Sequence, residues 1–446
     1  MSGCRGITNT EQLQVSTRSE VGSGGTSGGS LDPDDWTGLR ALGHRMLDDV
    51  FDDLQGIREQ PVWRPMPEAV RATWTQPMPR DGEPPDQTYA AYRELIAPFG
   101  VGNRHPGFLG WVHGGGTAVG MLAEMLAGGL NANCGGRDHA PVACERQVIR
   151  WAAEMLGLPL DSSGLVLSGT SMANFVGVLV ARSALRGEAV RREGVDGARL
   201  VGYASARAHL CVASAFDMAG LGSDALRLVP CDTQYAMCLG ALRDRIAADR
   251  AAGLAPFMVV GTAGSVDVGA IDDLRGIAGV CAEERLWMHV DAAFGAVGML
   301  SPSLRPLFAG MERADSVAFD WHKWAQVPYD AGCIVVRDAK AHQAAFARTA
   351  AYLRREEKGL AAGAPWPVDL GPELSRPWAG AVARVPGAQG LDDAARLWRE
   401  PDRRGRRAQL RSGSLVCRRH RCRALAGARR PCAAEHRLFP VSPGLR

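Results

Sequence analysis

Lysine is nearly absent from this sequence. Three lysines (Lys323, Lys340 and Lys358) stand among 51 basic residues, and all the others are arginine. A guanidinium stays protonated in proteins, whereas an amine can lose its proton and act as a nucleophile. Lys323 follows an apolar run, 316–319, that predicts a buried strand, so we take it as a candidate nucleophile. The alternative is a solvated lysine at the end of a strand.

Other absences restrict the class of protein. No run of 18 or more apolar residues occurs, so the sequence predicts no membrane span. No basic start is followed by an apolar stretch, so we expect no secretory signal. The 11 cysteines are odd in number and form no Cys-X-X-Cys pair, which argues against a disulfide framework or a zinc site. These features predict a cytoplasmic protein without a structural metal.

Composition divides the chain into segments. Residues 1–33 are rich in glycine, serine and threonine and predict a disordered leader. Residues 34–110 predict a helical N-terminal segment, with helices at 36–57 and 88–96, and residues 111–345 predict a large domain. Residues 346–376 predict a mobile loop that begins a C-terminal region. Residues 377–446 predict a disordered tail.

The pattern of the large domain alternates short apolar runs with amphipathic stretches. This alternation predicts an α/β domain with a mostly parallel sheet. The predicted strands are 164–168, 199–204, 226–229, 257–261, 286–290, 316–319 and 333–336. The predicted helices are 117–130, 141–156, 171–186, 209–220, 239–251 and 272–283.

Three predicted strand ends carry polar residues, and ligands in open α/β sheets gather at the carboxyl ends of strands. Thr170 and Ser171 begin a helix, where free N–H groups favour a phosphate; the alternative is a plain helix cap. Asp291 directly follows a strand, and the small Ala292 and Ala293 leave room for a flat ligand; the alternative is an aspartate that caps a turn. Lys323 follows the third strand.

These three groups together fit one molecule of pyridoxal phosphate. The phosphate would lie at the helix start, the ring nitrogen at Asp291 and the aldehyde at Lys323. A carboxylate at the ring nitrogen keeps the ring protonated and makes it an electron sink. His209, just after another predicted strand, can stack on the ring, or it can be a structural histidine.

Residues 36–376 resemble the group II pyridoxal-phosphate-dependent amino-acid decarboxylases, which include the aromatic-L-amino-acid and tyrosine decarboxylases. The resemblance lies in short stretches that share one order and spacing. They are His105-Pro106, Ser168-Gly-Thr-Ser-Met-Ala-Asn174, His209, His289-Val-Asp-Ala-Ala293, Asp315-Ser316, His322-Lys-Trp324 and Gly371-Pro-Glu-Leu-Ser-Arg376.

The resemblance implies a role for each matching residue. Lys323 would bind the cofactor aldehyde covalently, Asp291 would pair with the ring nitrogen and His209 would stack on the ring. Tyr352 matches a tyrosine on a mobile loop that delivers a proton to the substrate. The other implied cofactor-binding positions are Thr170, Ser171, Ala293, His322 and Asp320, the last where many relatives have asparagine.

The resemblance also implies a fold and a reaction. The fold is the aminotransferase-like large domain of fold type I enzymes, in a homodimer with the site at the subunit interface. The reaction is decarboxylation of an L-amino acid, of aromatic type, to an amine and CO2. A transaminase or an aldehyde-forming enzyme would use the same residues. His105, Trp111 and His113, in a stretch rich in glycine and aromatic residues, are the candidate substrate pocket.

The segment after Arg376 departs from the family pattern. Residues 375–446 contain 17 arginines, no lysine and five acidic residues, without amphipathic periodicity. We interpret this composition as a reading frame disrupted near residues 375–377, which would leave the C-terminal small domain missing or scrambled. The protein would then be a catalytically impaired remnant. A basic tail that binds nucleic acid is the alternative, but without lysines or interleaved aromatics the segment is not predicted to bind it.

Overall fold

The computed structural model describes residues 32–80, 82–133, 139–187, 189–195 and 199–346. The predicted leader up to residue 31, Tyr352 and the predicted tail lie outside the described residues. The chain divides into two compact units. The described residues of the first unit are 32–53 and 67–98 except 81, and the second unit contains 54–66 and the described residues from 99 onward. The predicted domain boundaries stay predictions.

The first unit is helical, as its amphipathic spacing predicts. Helix α1 spans Trp36–Gln55, α2 spans Glu68–Thr73 and α3 spans Pro85–Leu95. The Asp35 carboxylate caps α1, because its Oδ1 accepts the N–H groups of Thr37 and Gly38 at 3.0 and 2.9 Å. Tyr89 of α3 donates a hydrogen bond of 2.6 Å to Asp49 of α1. The predicted helices at 36–57 and 88–96 are confirmed.

The second unit is built on one sheet of seven strands. The strands are β1 Ser163–Leu167, β2 Leu200–Ser205, β3 Leu226–Val229, β4 Ala255–Thr262, β5 Trp287–Asp291, β6 Ser316–Asp320 and β7 Gly332–Val336. Their order across the sheet is β1-β7-β6-β5-β4-β2-β3. Strands β3, β2, β4, β5 and β6 are parallel, and β7 is antiparallel to both β1 and β6. The predicted mostly parallel sheet is confirmed.

Helices cover both faces of this sheet, which explains why β2, β6 and β7 are buried along their whole length. One face packs against α5 (Ala140–Leu156) and α10 (Leu274–Glu284), through Leu156 and Ile277, and the other packs against α6 (Thr170–Arg186) through Val180. The helices of the unit are α4 Ala118–Leu130, α5 Ala140–Leu156, α6 Thr170–Arg186, α7 Ala189–Glu193, α8 Leu210–Met218, α9 Leu239–Ala251, α10 Leu274–Glu284 and α11 Ala339–Phe346. Among the described residues, no helix has the length and apolar character to cross a membrane.

Candidate active site

The candidate residues meet at the carboxyl edge of the sheet. Strand β5 ends at Asp291 and the neighbouring parallel strand β6 ends at Asp320, with Asp291 in register with Ala318. The chain then passes through residues 321–331, the lysine turn, which contains Lys323, and returns as β7, which pairs with β6. Adjacent parallel strands place their carboxyl ends side by side, so residues far apart in sequence come together here.

Lys323 forms an ion pair inside this edge. Its Nζ lies 2.8 Å from Oδ2 of Asp320, and 23% of the Lys323 side chain is exposed. Burial lowers the pKa of Lys323, but the charge and hydrogen bond of Asp320 outweigh burial and leave the pKa above its usual value. The amine is therefore protonated at neutral pH and must lose a proton before it can attack an aldehyde.

His322 is held beside the same carboxylate. Its Nδ1 accepts the N–H of Ala331 at 3.0 Å, which places the ring proton on Nε2, 3.6 Å from Oδ2 of Asp320. Burial lowers the pKa of His322, and this effect outweighs the opposite effect of the Asp320 charge. The ring stacks on Tyr329 with 4.1 Å between centroids. His322 is thus a neutral N–H donor on the lysine turn.

Asp291 is almost completely buried, with 4% of its surface exposed. Burial raises its pKa, and hydrogen bonds from the Asn174 side chain and the Ala293 N–H act in the opposite direction. These bonds measure 3.0 Å to Oδ2 and 3.1 Å to Oδ1. Lys323 also lowers the pKa of Asp291 by its charge. A buried carboxylate with these donors is suited to receive a cationic N–H from a ligand.

The start of α6 offers a site for an anion. Thr170 is 4% exposed, and its Oγ1 is buried without a hydrogen-bond partner among the described residues. Buried hydroxyls are normally satisfied, so this atom fits a site that a ligand oxygen completes. The Thr170 N–H is already bonded to Oδ1 of Asp320 at 2.7 Å, while Ser171 is exposed at the first turn. The helix begins one residue before the predicted start.

His209 lies at the residue before α8, and its Nδ1 accepts the N–H of Cys211 at 3.3 Å. His209 as a whole is exposed. The Asn174 amide that donates to Asp291 also lies 3.3 Å from the Cys211 sulfur. His209 is therefore linked through Cys211 and Asn174 to the Asp291 carboxylate, and a stacking role stays a prediction.

The glycine-rich stretch packs on the lysine turn. A Cβ on Gly114 would lie 1.9 Å from the carbonyl oxygen of His322, so only glycine fits there. Beside it, the ring of His113 lies 5.8 Å from Trp111 and meets Tyr329 edge-on at 6.1 Å. Two of the three predicted pocket residues thus lie close to the turn.

The third predicted pocket residue, His105, has a local contact instead: its Nδ1 accepts the N–H of Gly107 at 2.9 Å.

Two site residues, Asn174 and Tyr329, were given no role by the sequence. Asn174 follows Thr170 by one helical turn on α6, so the two residues lie on one face of the helix. This spacing could have indicated Asn174 as a site residue. Tyr329 carried no comparable signal, because only the return of the chain into β7 brings it onto His322.

The comparisons with known proteins agree with this geometry. The model of the pyridoxal-dependent decarboxylase conserved domain matches residues 67–391. The chain belongs to this family. The aromatic-L-amino-acid decarboxylase of Bacillus atrophaeus is 30% identical over 72% of this chain and 66% of its own length. The aromatic-L-amino-acid decarboxylase of Bos taurus is 32% identical over 79% of this chain and 76% of its own length.

A third relative, the histidine decarboxylase of Drosophila melanogaster, is 31% identical over 73% of this chain but only 40% of its own length. The chain therefore spans less than two thirds of the Bacillus and Drosophila enzymes. The crystal structure of Oryza sativa TDC with PLP and tryptamine superposes with a TM-score of 0.70 at 26% identity, covering 82% of this chain and 77% of that one. The crystal structure of Rhodiola rosea 4-hydroxyphenylacetaldehyde synthase superposes with a TM-score of 0.69 at 25% identity, covering 81% of this chain and 77% of that one.

The residues present fit the cofactor for which the family is named. Lys323 supplies an amine, Asp291 a buried carboxylate and Thr170 a buried hydroxyl without a partner at a helix start. Their assignment to the aldehyde, the ring nitrogen and the phosphate stays a prediction.

The Asp320→Asn variant tests how Lys323 is held protonated. Asparagine still offers an oxygen to the Thr170 N–H but removes the charge beside Nζ, so the pKa of Lys323 should fall. Each unit of that fall raises the neutral fraction, and the rate of cofactor capture at pH 7, about tenfold. The rate is measured from the visible absorbance that appears when pyridoxal phosphate is mixed with apoprotein at several pH values.

The wild-type rate should rise with pH through the physiological range, and the variant should reach its plateau at lower pH. Asp338→Asn changes an exposed carboxylate that caps the backbone at Lys340, and it serves as the control. Identical pH profiles for wild type and Asp320→Asn would contradict the assignment of Asp320 as the group that holds Lys323 charged.

Proposed function

We propose that this chain binds pyridoxal 5′-phosphate through Lys323 and decarboxylates an aromatic L-amino acid to the amine and CO2. The observation that supports it most is the meeting of Lys323 and Asp291 at the ends of paired strands, beside the start of α6. An amine, a buried carboxylate and an anion site are the three groups that this cofactor requires.

When bound, the cofactor withdraws the electron pair left on the substrate carbon as CO2 departs. Asp291 holds a proton at the ring nitrogen, and burial strengthens that interaction because little water screens it. Thr170, Ser171 and the Nε2–H of His322 bind the phosphate as hydrogen-bond donors. His209 covers a ring face and excludes water from it.

The aromatic character of the substrate is supported by two observations. The relatives from Bacillus and Bos taurus are named aromatic-L-amino-acid decarboxylases. In this chain, Phe108, Trp111, His113 and Tyr329 form a connected set of rings on the lysine turn. Trp111 is 78% exposed, so a flat side chain can reach its face without displacing packed residues.

A panel of L-amino acids tests this proposal. Purified protein loaded with pyridoxal phosphate is incubated with each amino acid, and CO2, amine, aldehyde and keto acid are measured. We expect CO2 and amine in equal amounts from an aromatic amino acid, and little from acidic or aliphatic ones. Equal turnover of glutamate would overturn the aromatic assignment.

The same assay separates the other candidate functions. An aldehyde-forming reaction is favoured by one observation, the similarity to the Rhodiola rosea 4-hydroxyphenylacetaldehyde synthase, and would give aldehyde in place of amine. A transaminase would give keto acid without CO2. The impaired remnant would bind cofactor at Lys323 and release no CO2 from any amino acid. Reading codons 370–380 in all three frames would then show whether another frame encodes a C-terminal domain.

We also propose a homodimer. Helix α4 exposes four apolar side chains, Val119, Met125, Leu126 and Leu130, each more than half accessible. An isolated helix face of this kind is expected to be covered in a stable protein, and a second copy is the partner that the family implies. Sedimentation of the purified protein should give twice the monomer mass of 47.5 kDa.

A reducing compartment such as the cytoplasm suits the cysteines. The six cysteines in the described part of the chain are all free thiols, and three of them are buried (Cys211, Cys281 and Cys333). Free thiols persist where glutathione keeps them reduced.

A further inference from the structure

Behind Asp291, a chain of hydrogen bonds runs through the sheet and away from the site. Trp287 Nε1 lies 2.8 Å from Ser316 Oγ, which lies 2.7 Å from Nδ1 of His289. Nε2 of His289 lies 2.8 Å from Oδ1 of Asn174, whose Nδ2 lies 3.0 Å from Oδ2 of Asp291. Five side chains from β5, β6 and α6 thus form one connected series.

The chemistry at its two ends fixes the direction of every bond. The indole N–H can only donate and an ionised carboxylate can only accept. Asn174 must therefore turn its NH2 group to Asp291 and its oxygen to His289, so the imidazole proton lies on Nε2. Nδ1 then accepts from the Ser316 hydroxyl, whose oxygen accepts from Trp287. Each donor points toward Asp291.

The series reaches Asp291 without carrying a charge. His289 is 1% exposed, and burial lowers its pKa to about 3, so the ring is neutral at physiological pH. A protonated histidine would neutralise Asp291, whereas a neutral one only orients it. Aligned donors polarise one another, so such a series favours the ionised carboxylate more than its last bond would alone.

The backbone of α6 makes room for this histidine. A Cβ on Gly177 would lie 2.7 Å from Cε1 and 2.9 Å from Nδ1 of His289. Glycine inside a helix is less stabilising than alanine, but here a larger residue would clash with the ring. The packing of α6 is thus adapted to one ring position.

We propose that Asn174, His289 and Ser316 are positioning residues that aim the Asp291 carboxylate at the cofactor ring nitrogen without neutralising its charge. The inference rests on the proposed function, in which Asp291 faces the ring nitrogen. It extends that function by assigning the orientation of Asp291, and the retention of its charge, to the three residues bonded behind it.

A pair of ligands separates this role from ordinary core stability. Pyridoxal phosphate carries the ring nitrogen, and its 1-deaza analogue has C–H in its place while keeping the aldehyde and phosphate. The affinity of apoprotein for each ligand is measured by titration of the visible absorbance. The ratio of the two affinities reports only what the protein gains from the ring nitrogen, and it needs no amino-acid substrate.

The Ser316→Ala variant removes one oxygen from the series and has a matched control. Ser163 Oγ makes the same contact, 2.7 Å, with Nδ1 of another buried histidine, His342. We expect Ser316→Ala to reduce the affinity ratio about threefold and Asn174→Ala, which removes a bond to a charged group, about tenfold or more. Ser163→Ala should leave the ratio unchanged, whatever it does to the melting temperature.

A wild-type protein that binds both ligands equally well would overturn the assignment of Asp291 in the proposed function. A wild-type protein that prefers pyridoxal phosphate, with the same ratio in Ser316→Ala and Asn174→Ala, would overturn the positioning role alone. If Ser316→Ala does not give folded protein, Trp287→Phe removes the first donor while keeping an aromatic ring. Its ratio should fall as well, and an unchanged ratio would count against the proposal.

Discussion

Lys323→Arg should abolish turnover while leaving the fold intact. Arginine keeps a positive charge beside Asp320, so the buried carboxylate retains a partner and the variant should fold. A guanidinium does not form the covalent bond to an aldehyde. We expect the visible absorbance of the loaded protein to disappear and kcat to fall by at least about three orders of magnitude, roughly 4 kcal/mol of barrier.

The control is Lys340→Arg, since Lys340 is exposed on α11. This variant should match the wild type in absorbance and rate. Borohydride reduction of the loaded wild-type protein, followed by peptide mapping, should place the cofactor on Lys323. Cofactor attached to Lys340 or Lys358 would refute the assignment.

Asp291→Asn should reduce kcat far more than it reduces the affinity for the cofactor. The amide has the shape of the carboxylate but no charge, so it cannot hold a proton on the ring nitrogen, and the ring becomes a poor electron sink. In the proposed site, the covalent bond and the phosphate contacts would not involve this side chain. We expect kcat to fall by about two to four orders of magnitude, roughly 3 to 5 kcal/mol, with a much smaller change in cofactor affinity.

Asp272→Asn is a matched control because Asp272 is also a buried aspartate near the carboxyl edge of β4. Its two oxygens accept the N–H groups of Met237 and Thr262, and burial raises its pKa to about 6. This variant should lower the melting temperature and leave kcat per folded site nearly unchanged. An Asp291→Asn protein within a few-fold of the wild-type rate would show that ring protonation is not the task of Asp291.

The sequence is sufficient to predict the strands and the residues at their ends. Apolar runs of four to eight residues bounded by polar turns predict buried strands, and all seven predicted strands are present with small shifts at their ends. Lys323, Asp291 and Thr170 could be found because each lies within four residues of the end of such a run. Their convergence then follows from the geometry of a parallel sheet.

Sequence reasoning does not predict how these residues are paired. The direction of β7 could not be predicted, because a fully buried strand has the same apolar pattern whether it runs parallel or antiparallel. The bond from Asn174 to Asp291 joins residues 117 positions apart, and it depends on how α6 lies across the sheet. The ion pair of Lys323 with Asp320 depends on the path of the turn after β6.

The return of the chain from β6 directly into β7 has a consequence for the entropy of binding. Both ends of the lysine turn are held by central strands that pair with each other, and the Trp321 N–H bonds across the turn to Ala331 at 2.8 Å. Ordering the backbone of one residue in a free loop costs about 1–2 kcal/mol. The backbone of this turn is already ordered in the folded protein, so binding does not add that cost. A ligand that bonds to Lys323 therefore orders a side chain and little backbone, so more of its binding energy is retained as affinity.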